Sequence, residues 1–195
     1  MKKLVGIGLA AAISLGALSG CSLVDSLLEK GNGLVAYGSE QQINTMIDKN
    51  KSDITEKNTY KMKLATLENK KVLVMDKKTG EEFVKKGLLK KVDKNDDTTA
   101  IDKLPAVTKE QGVLFAKDKV ENATLDGTKL KYEDNTIIGT GRAYADMFAI
   151  VDDATYGNIN GEEKSVGVLK MNKDPKNEIG DHKKATEETQ LVRIK

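Results

Sequence analysis

Short apolar runs of period two, divided by turn dipeptides, set the strongest limit on what this chain can fold into. Tyr60, Met62 and Leu64 alternate with Lys61 and Lys63, the pattern of a strand with one face buried and the other in water. Residues 71–76 (KVLVMD) read as a second strand, with Glu68-Asn69 as the turn between the two. Residues 76–80 read as a further turn, and 82–84 as the resumed meander. Strands are also expected at 113–116, 129–132, 136–138, 143–151, 165–171 and 190–194. Asp126-Gly127 and Asn160-Gly161 are dipeptides of the kind favoured in tight hairpins. The polar stretch 93–99 is expected as an exposed loop.

One segment has a helical period instead. Ser39 followed by Gln42 fits a capping box. Ile43, Met46, Ile47 and Ile54 then fall at offsets of 0, 3, 4 and 11, one face of a helix over 39–56. Many short strands with one helix near the start predict an α+β fold, predominantly an antiparallel β-sheet or barrel.

Composition enters where it excludes. The chain has one Cys, one His and no Trp, so no internal disulfide forms and the Cys/His ligand sets of zinc sites are missing. No metal and no cofactor is expected. At 38% hydrophobic and 32% charged residues, the chain reads as globular rather than as a bundle of membrane spans.

The first twenty residues are different in kind. Met1-Lys2-Lys3 is a basic start, and residues 4–18 are apolar apart from Gly6, Gly8, Ser14 and Gly16. That length suits a secretory signal of about 7 to 15 apolar residues better than a spanning helix of about 20. It closes on Leu18-Ser19-Gly20-Cys21, which resembles the lipobox of bacterial lipoproteins. The resemblance covers 21 of 195 residues and rests on four coincident features: the basic start, the apolar length, the small residues and the chain's single Cys. It implies cleavage between Gly20 and Cys21, a diacylglyceryl group on the Cys21 thiol and acylation of the new amine. Two or more acyl chains give stable anchoring where one is marginal. Ser22 is not the Asp of a retention signal, so both the cell membrane and, where the organism has one, the outer membrane stay open.

The expected organisation is therefore a cleaved signal at 1–20, a lipidated Cys21 with a short tether over 21–38, and one globular α+β domain over 39–195. Residues 22–30 carry Leu23, Leu27 and Leu28 at helical spacing before the Gly31-Asn32-Gly33 breaker. Charge is unevenly distributed along it. Residues 49–94 hold 14 Lys and 7 acids, a net of +7, flanked by −3 over 21–48 and −4 over 95–195. A basic face would suit membrane headgroups, an anionic wall polymer or an acidic protein partner. The seven interleaved acids favour the alternative, a solvated strand face. Nucleic acid is not an expected partner, because export separates the two and the chain has few aromatics for stacking.

Arg142, Tyr144 and Asp146 form the candidate anion-binding group. If residues 142–151 are extended, these three share one strand face beside Gly139 and Gly141, and an Arg there binds a carboxylate or phosphate bidentately. The competing reading is an internal Arg142–Asp146 pair. The acids near 93–97 and 172–174 lack the Gly and Glu positions of a calcium loop. His182 sits in the polar run Asp181-His182-Lys183-Lys184 and is expected at the surface. Adjacent acids such as Asp152-Asp153 and Glu162-Glu163 point to opposite strand faces or into solvent. The expected role is non-enzymatic binding or interaction at the cell envelope. The alternatives are a carboxylate-dependent envelope hydrolase and a small solute-capture lipoprotein.

Overall fold

The computed structural model describes residues 31–195; the signal, the cleavage point and Cys21 lie outside them. The first described element is strand β1 (Gly33–Gly38), buried along its whole length. It pairs antiparallel with two later strands, so residues 33–38 belong to the folded domain rather than to a tether. A strand buried on both faces is an apolar run without alternation, which is why it does not read as a strand. Helix α1 (Glu40–Lys49) follows, with the expected capping box: Gln42 N–H donates to Ser39 Oγ at 3.2 Å and Ser39 N–H to Gln42 Oε1 at 2.8 Å. Ile43, Met46 and Ile47 are its buried face. It ends at Asn50, whose side chain donates to Met46 O at 2.7 Å, and Ile54 opens the next strand instead of closing the helix.

Strands β2 (Ile54–Leu67) and β3 (Lys70–Asp76) form the expected hairpin. Glu68 and Asn69 both take positive φ, 50° and 62°, the geometry of a two-residue primed turn. After β3 the chain does not turn and resume a meander. Asp76 caps helix α2 (Lys77–Lys85), accepting from Thr79 N–H at 2.7 Å. Gly80 lies against Ile150, where a Cβ would stand 2.9 Å from Ile150 Cδ1, so the glycine serves close approach rather than a turn.

The remaining strands are β4 (Leu89–Val92), β5 (Thr98–Ala100), β6 (Gln111–Ala116), β7 (Thr124–Leu125), β8 (Thr128–Asp134), β9 (Thr136–Ile138) and β10 (Met147–Val151). The short helix α3 (Asp153–Tyr156) precedes β11 (Glu162–Met171), and helix α4 (Ile179–Ala185) precedes β12 (Glu188–Val192). Among the described residues, nine strands make one sheet in the order β12-β1-β11-β2-β3-β10-β6-β8-β7, and β5-β4-β9 make a second. The large sheet is mixed: β3–β10 and β6–β8 are parallel, and its other pairs antiparallel. It is an open sheet in an α+β fold, not a barrel.

Alternation sorts its side chains to two faces. Val35, Tyr37, Leu73, Met75, Phe148 and Ile150 pack with Phe83 of α2 and Ile137 and Ile138 of the small sheet. On the other face α1 covers Leu34, Ala36 and Leu169 at one side, while Val72, Val74, Leu114 and Ala149 pack with Leu125 and Ile159 at the other. Asp126 and Gly127 turn the β7–β8 hairpin as expected, both at positive φ. Asn160-Gly161 turns no hairpin. Asn160 binds the Asp126 carboxylate through its backbone N–H at 2.7 Å and its side-chain amide at 3.1 Å.

Candidate functional site

The structure does not bring Arg142, Tyr144 and Asp146 together as one anion site. Strand β10 begins only at Met147, so residues 142–146 are irregular and their side chains diverge. The Arg142 guanidinium donates to Thr136 O, Asp146 O and Asn135 Oδ1, each at 2.9 Å, and lies over the Phe148 ring at 5.2 Å. Burial pulls it down to about 10, so it stays charged at neutral pH. The Asp146 carboxylate is not its partner; it accepts from Lys71 N–H at 2.8 Å. Arg142 thus ties the β8–β9 junction to the start of β10.

Tyr144 belongs to a different group. Its ring stacks on Tyr37 with centroids 4.5 Å apart, and its hydroxyl donates to Glu187 Oε2 at 2.8 Å. Lys164, nearly buried, donates to Glu187 Oε1 at 2.8 Å and pairs with Glu162 at 2.7 Å. Burial works to raise the Glu187 carboxyl, but the hydrogen bonds from Lys164 and Tyr144 outweigh it and hold the group below its usual range. Burial and the same Glu187 bond raise the Tyr144 hydroxyl. A carboxylate locked between a lysine and a tyrosine is a structural pair, not a poised base.

His182 is buried, 5% exposed, rather than at the surface. Ile179 and His182, three residues apart, lie on the inward face of α4 that the polar neighbours conceal, and Thr186 caps its end. Its Nε2 has no hydrogen-bond partner among the described residues and stands 4.0 Å from Glu178 Oε2. Burial lowers its pKa from 6.5. The Asp93 carboxylate accepts from Asn95 and Asp97 N–H at 2.8 and 3.0 Å, a loop bracing itself. Among the described residues no group of three or more His, Cys, Asp or Glu is placed to hold a metal ion.

An open concavity among the described residues lies elsewhere, between α2 and residues 102–107. It encloses about 470 Å³. Lys77, Glu81, Val84 and Lys85 line one wall at helical spacing, while Lys103, Leu104 and Val107 contribute to the other. Three lysines and two acids, Glu81 and Asp102, therefore surround an apolar strip. Lys85 is held by Glu82 at 2.7 Å. Sequence reading missed this cleft because residues 76–80 read there as a turn and 82–84 as a strand; the Lys77, Glu81, Lys85 spacing was the available signal.

The dispersal of the basic stretch is equally clear. Lys57 and Lys61 stand exposed on β2, Lys70 and Lys71 at the β2–β3 turn, and Lys78 on α2, with Lys77 beside it half-buried. Lys63 is turned to the carbonyls of Tyr156 and Ile159 at 3.0 and 2.7 Å. The +7 of the sequence is thus no single face.

No curated protein matches this chain. Among solved structures, it is similar to the crystal structure of a "putative lipoprotein from Bacillus anthracis", at 40% identity and a TM-score of 0.80, over 84% of this chain and 99% of that one. Residues 31–195 match the model of an uncharacterised lipoprotein family, and the chain belongs to that family.

Proposed function

We propose that the protein is a lipid-anchored, extracytoplasmic lipoprotein of the cell envelope, cut between Gly20 and Cys21 and held by acyl chains on Cys21. Its role is binding rather than catalysis, and the binding site is the cleft between α2 and residues 102–107. The observation that carries this reading is the cleft's lining: Lys77, Lys85 and Lys103, with Glu81 and Asp102, around Val84, Leu104 and Val107. Concave sites with an apolar floor and a few polar groups are the usual ligand sites of a domain. The lysines select a partner segment with acidic groups beside an apolar side chain, since opposite charge across an interface steers association and excludes wrong partners.

The test is a crosslinking pull-down from native membranes with the anchored protein and with a Leu104→Glu, Lys103→Glu variant. A specific partner recovered by the native chain and lost with the variant is the expected result. The same partner recovered equally by both would remove the cleft from the account.

A further inference from the structure

We propose that the domain rests on the anionic headgroups of its own anchoring membrane through a basic corner beside the point where the chain leaves for Cys21. The inference rests on the anchoring reading above. It starts from where the described chain begins. Gly31 lies against Leu191, and Asn32 is bonded to Ile194 from both sides of its amide, at 2.9 and 2.7 Å. The chain's exit is thus fixed to one end of β1 and β12. Nine residues lie between Cys21 and Gly31, a span of at most about 35 Å when fully extended. The end of the sheet at Gly33 is therefore the end nearest the bilayer.

That end carries positive charge drawn from distant parts of the sequence. Lys170 stands opposite both Gly33 and Glu56 in the strand register. Around it lie Lys51 in the α1–β2 turn, Lys86 after α2, Lys173 after β11, and Arg193 and Lys195 after β12. Two of these are paired: Lys86 with Glu56, and Lys173 with Asp53 at 3.0 Å and Glu178 at 2.8 Å. Lys170 donates to Lys195 O at 3.2 Å. Lys51, Arg193 and Lys195 are exposed and make no ion pair among the described residues. Asp48 and Lys49 close α1 at the same end and cancel.

The opposite ends of these strands are mixed, since Lys61, Lys70 and Lys71 stand exposed there on β2 and β3. Glu40, Glu162, Glu163, Glu187 and Glu188 gather there, with Lys164 and Lys183 bound among them. The remainder of the near edge, below β3, β10 and β6, is mixed, with Lys78 paired to Asp153 at 3.1 Å. A Lys or Arg near an anionic leaflet contributes roughly a fivefold gain in association, lost beyond a Debye length. Lys51 and Arg193 together give on the order of 30-fold in local residence.

The experiment uses the mature lipidated chain in vesicles of phosphatidylcholine alone and of phosphatidylcholine with phosphatidylglycerol. Lysine acetylation rates are read by mass spectrometry. On the anionic vesicles Lys51, Lys170 and Lys195 are expected to be protected about fivefold or more, while Lys70 at the far end of β2 is unchanged. High salt, or the exposed substitutions K51E, R193E and K195E together, should abolish the protection at Lys170. Equal rates on the two vesicle types, protection at Lys70 instead, or protection only by added phosphodiester wall polymer would overturn the orientation. A chain that floats with neither vesicle contradicts the anchor and the orientation together; one that floats with both, unprotected, contradicts the orientation alone.

Discussion

Arg142 is the residue whose role the fold changes most. As a strand residue it would present a free guanidinium beside Tyr144 and Asp146; in the structure its donors are taken by the protein's own carbonyls. An Arg satisfied this way is a fastener between loops, and the planar fork is what lets one side chain serve several acceptors. Replacing it with Lys keeps the charge but leaves acceptors such as Thr136 O without their donors. We expect Arg142→Lys to lower stability by about 2 kcal/mol, read as a shift in the denaturant midpoint at unchanged slope. An unchanged midpoint would show that the guanidinium contacts carry no stability.

Elements were legible in the sequence where one face meets water. The β2–β3 hairpin follows from the alternation at Tyr60, Met62 and Leu64, and α1 from the Ser39–Gln42 box and the Ile43, Met46, Ile47 face. Strand β1 was hidden because both its faces are buried, and α2 because Asp76-Lys77-Lys78-Thr79-Gly80 has turn composition while Asp76 acts as a helix cap. Helix α4 was hidden by its charges. It packs inward through His182, which faces Glu178 and Asp181 from its own segment while the helix docks beside β12 and α1. Burial depresses the folded pKa of His182 below 6.5, so the folded state prefers the neutral ring. The stability this gives is present above about pH 6.5 and is lost as the pH falls through the depressed folded value. Thermal midpoints should fall between pH 7 and 5 in the native chain, beyond the fall in a His182→Leu variant. Parallel curves for the two would exclude His182 as the cause.

For the whole molecule, the instructive contrast is between charge in sequence and charge in space. The run 49–94 carries +7, yet the fold scatters it over β2, β3, α2 and β4. The basic corner is assembled instead from Lys51, Lys170, Arg193 and Lys195, which no window of sequence contains. Pairing made it: β11 and β12 flank β1, so the end of the chain is brought beside the beginning of the domain. The site was illegible for the same reason, because the α2 cleft joins a helix to a loop more than fifteen residues away. What sequence alone carried was the expectation of a lipid attachment, through Cys21 and the residues before it; residues 31–195 match an uncharacterised lipoprotein family. Every claim about orientation depends on that attachment. The direct measurement is intact-mass and fragment mass spectrometry of the protein extracted from its native membrane. The account predicts a mature chain beginning at Cys21 with a diacylglyceryl group on the thiol; an unmodified Cys21, or cleavage elsewhere, would contradict it.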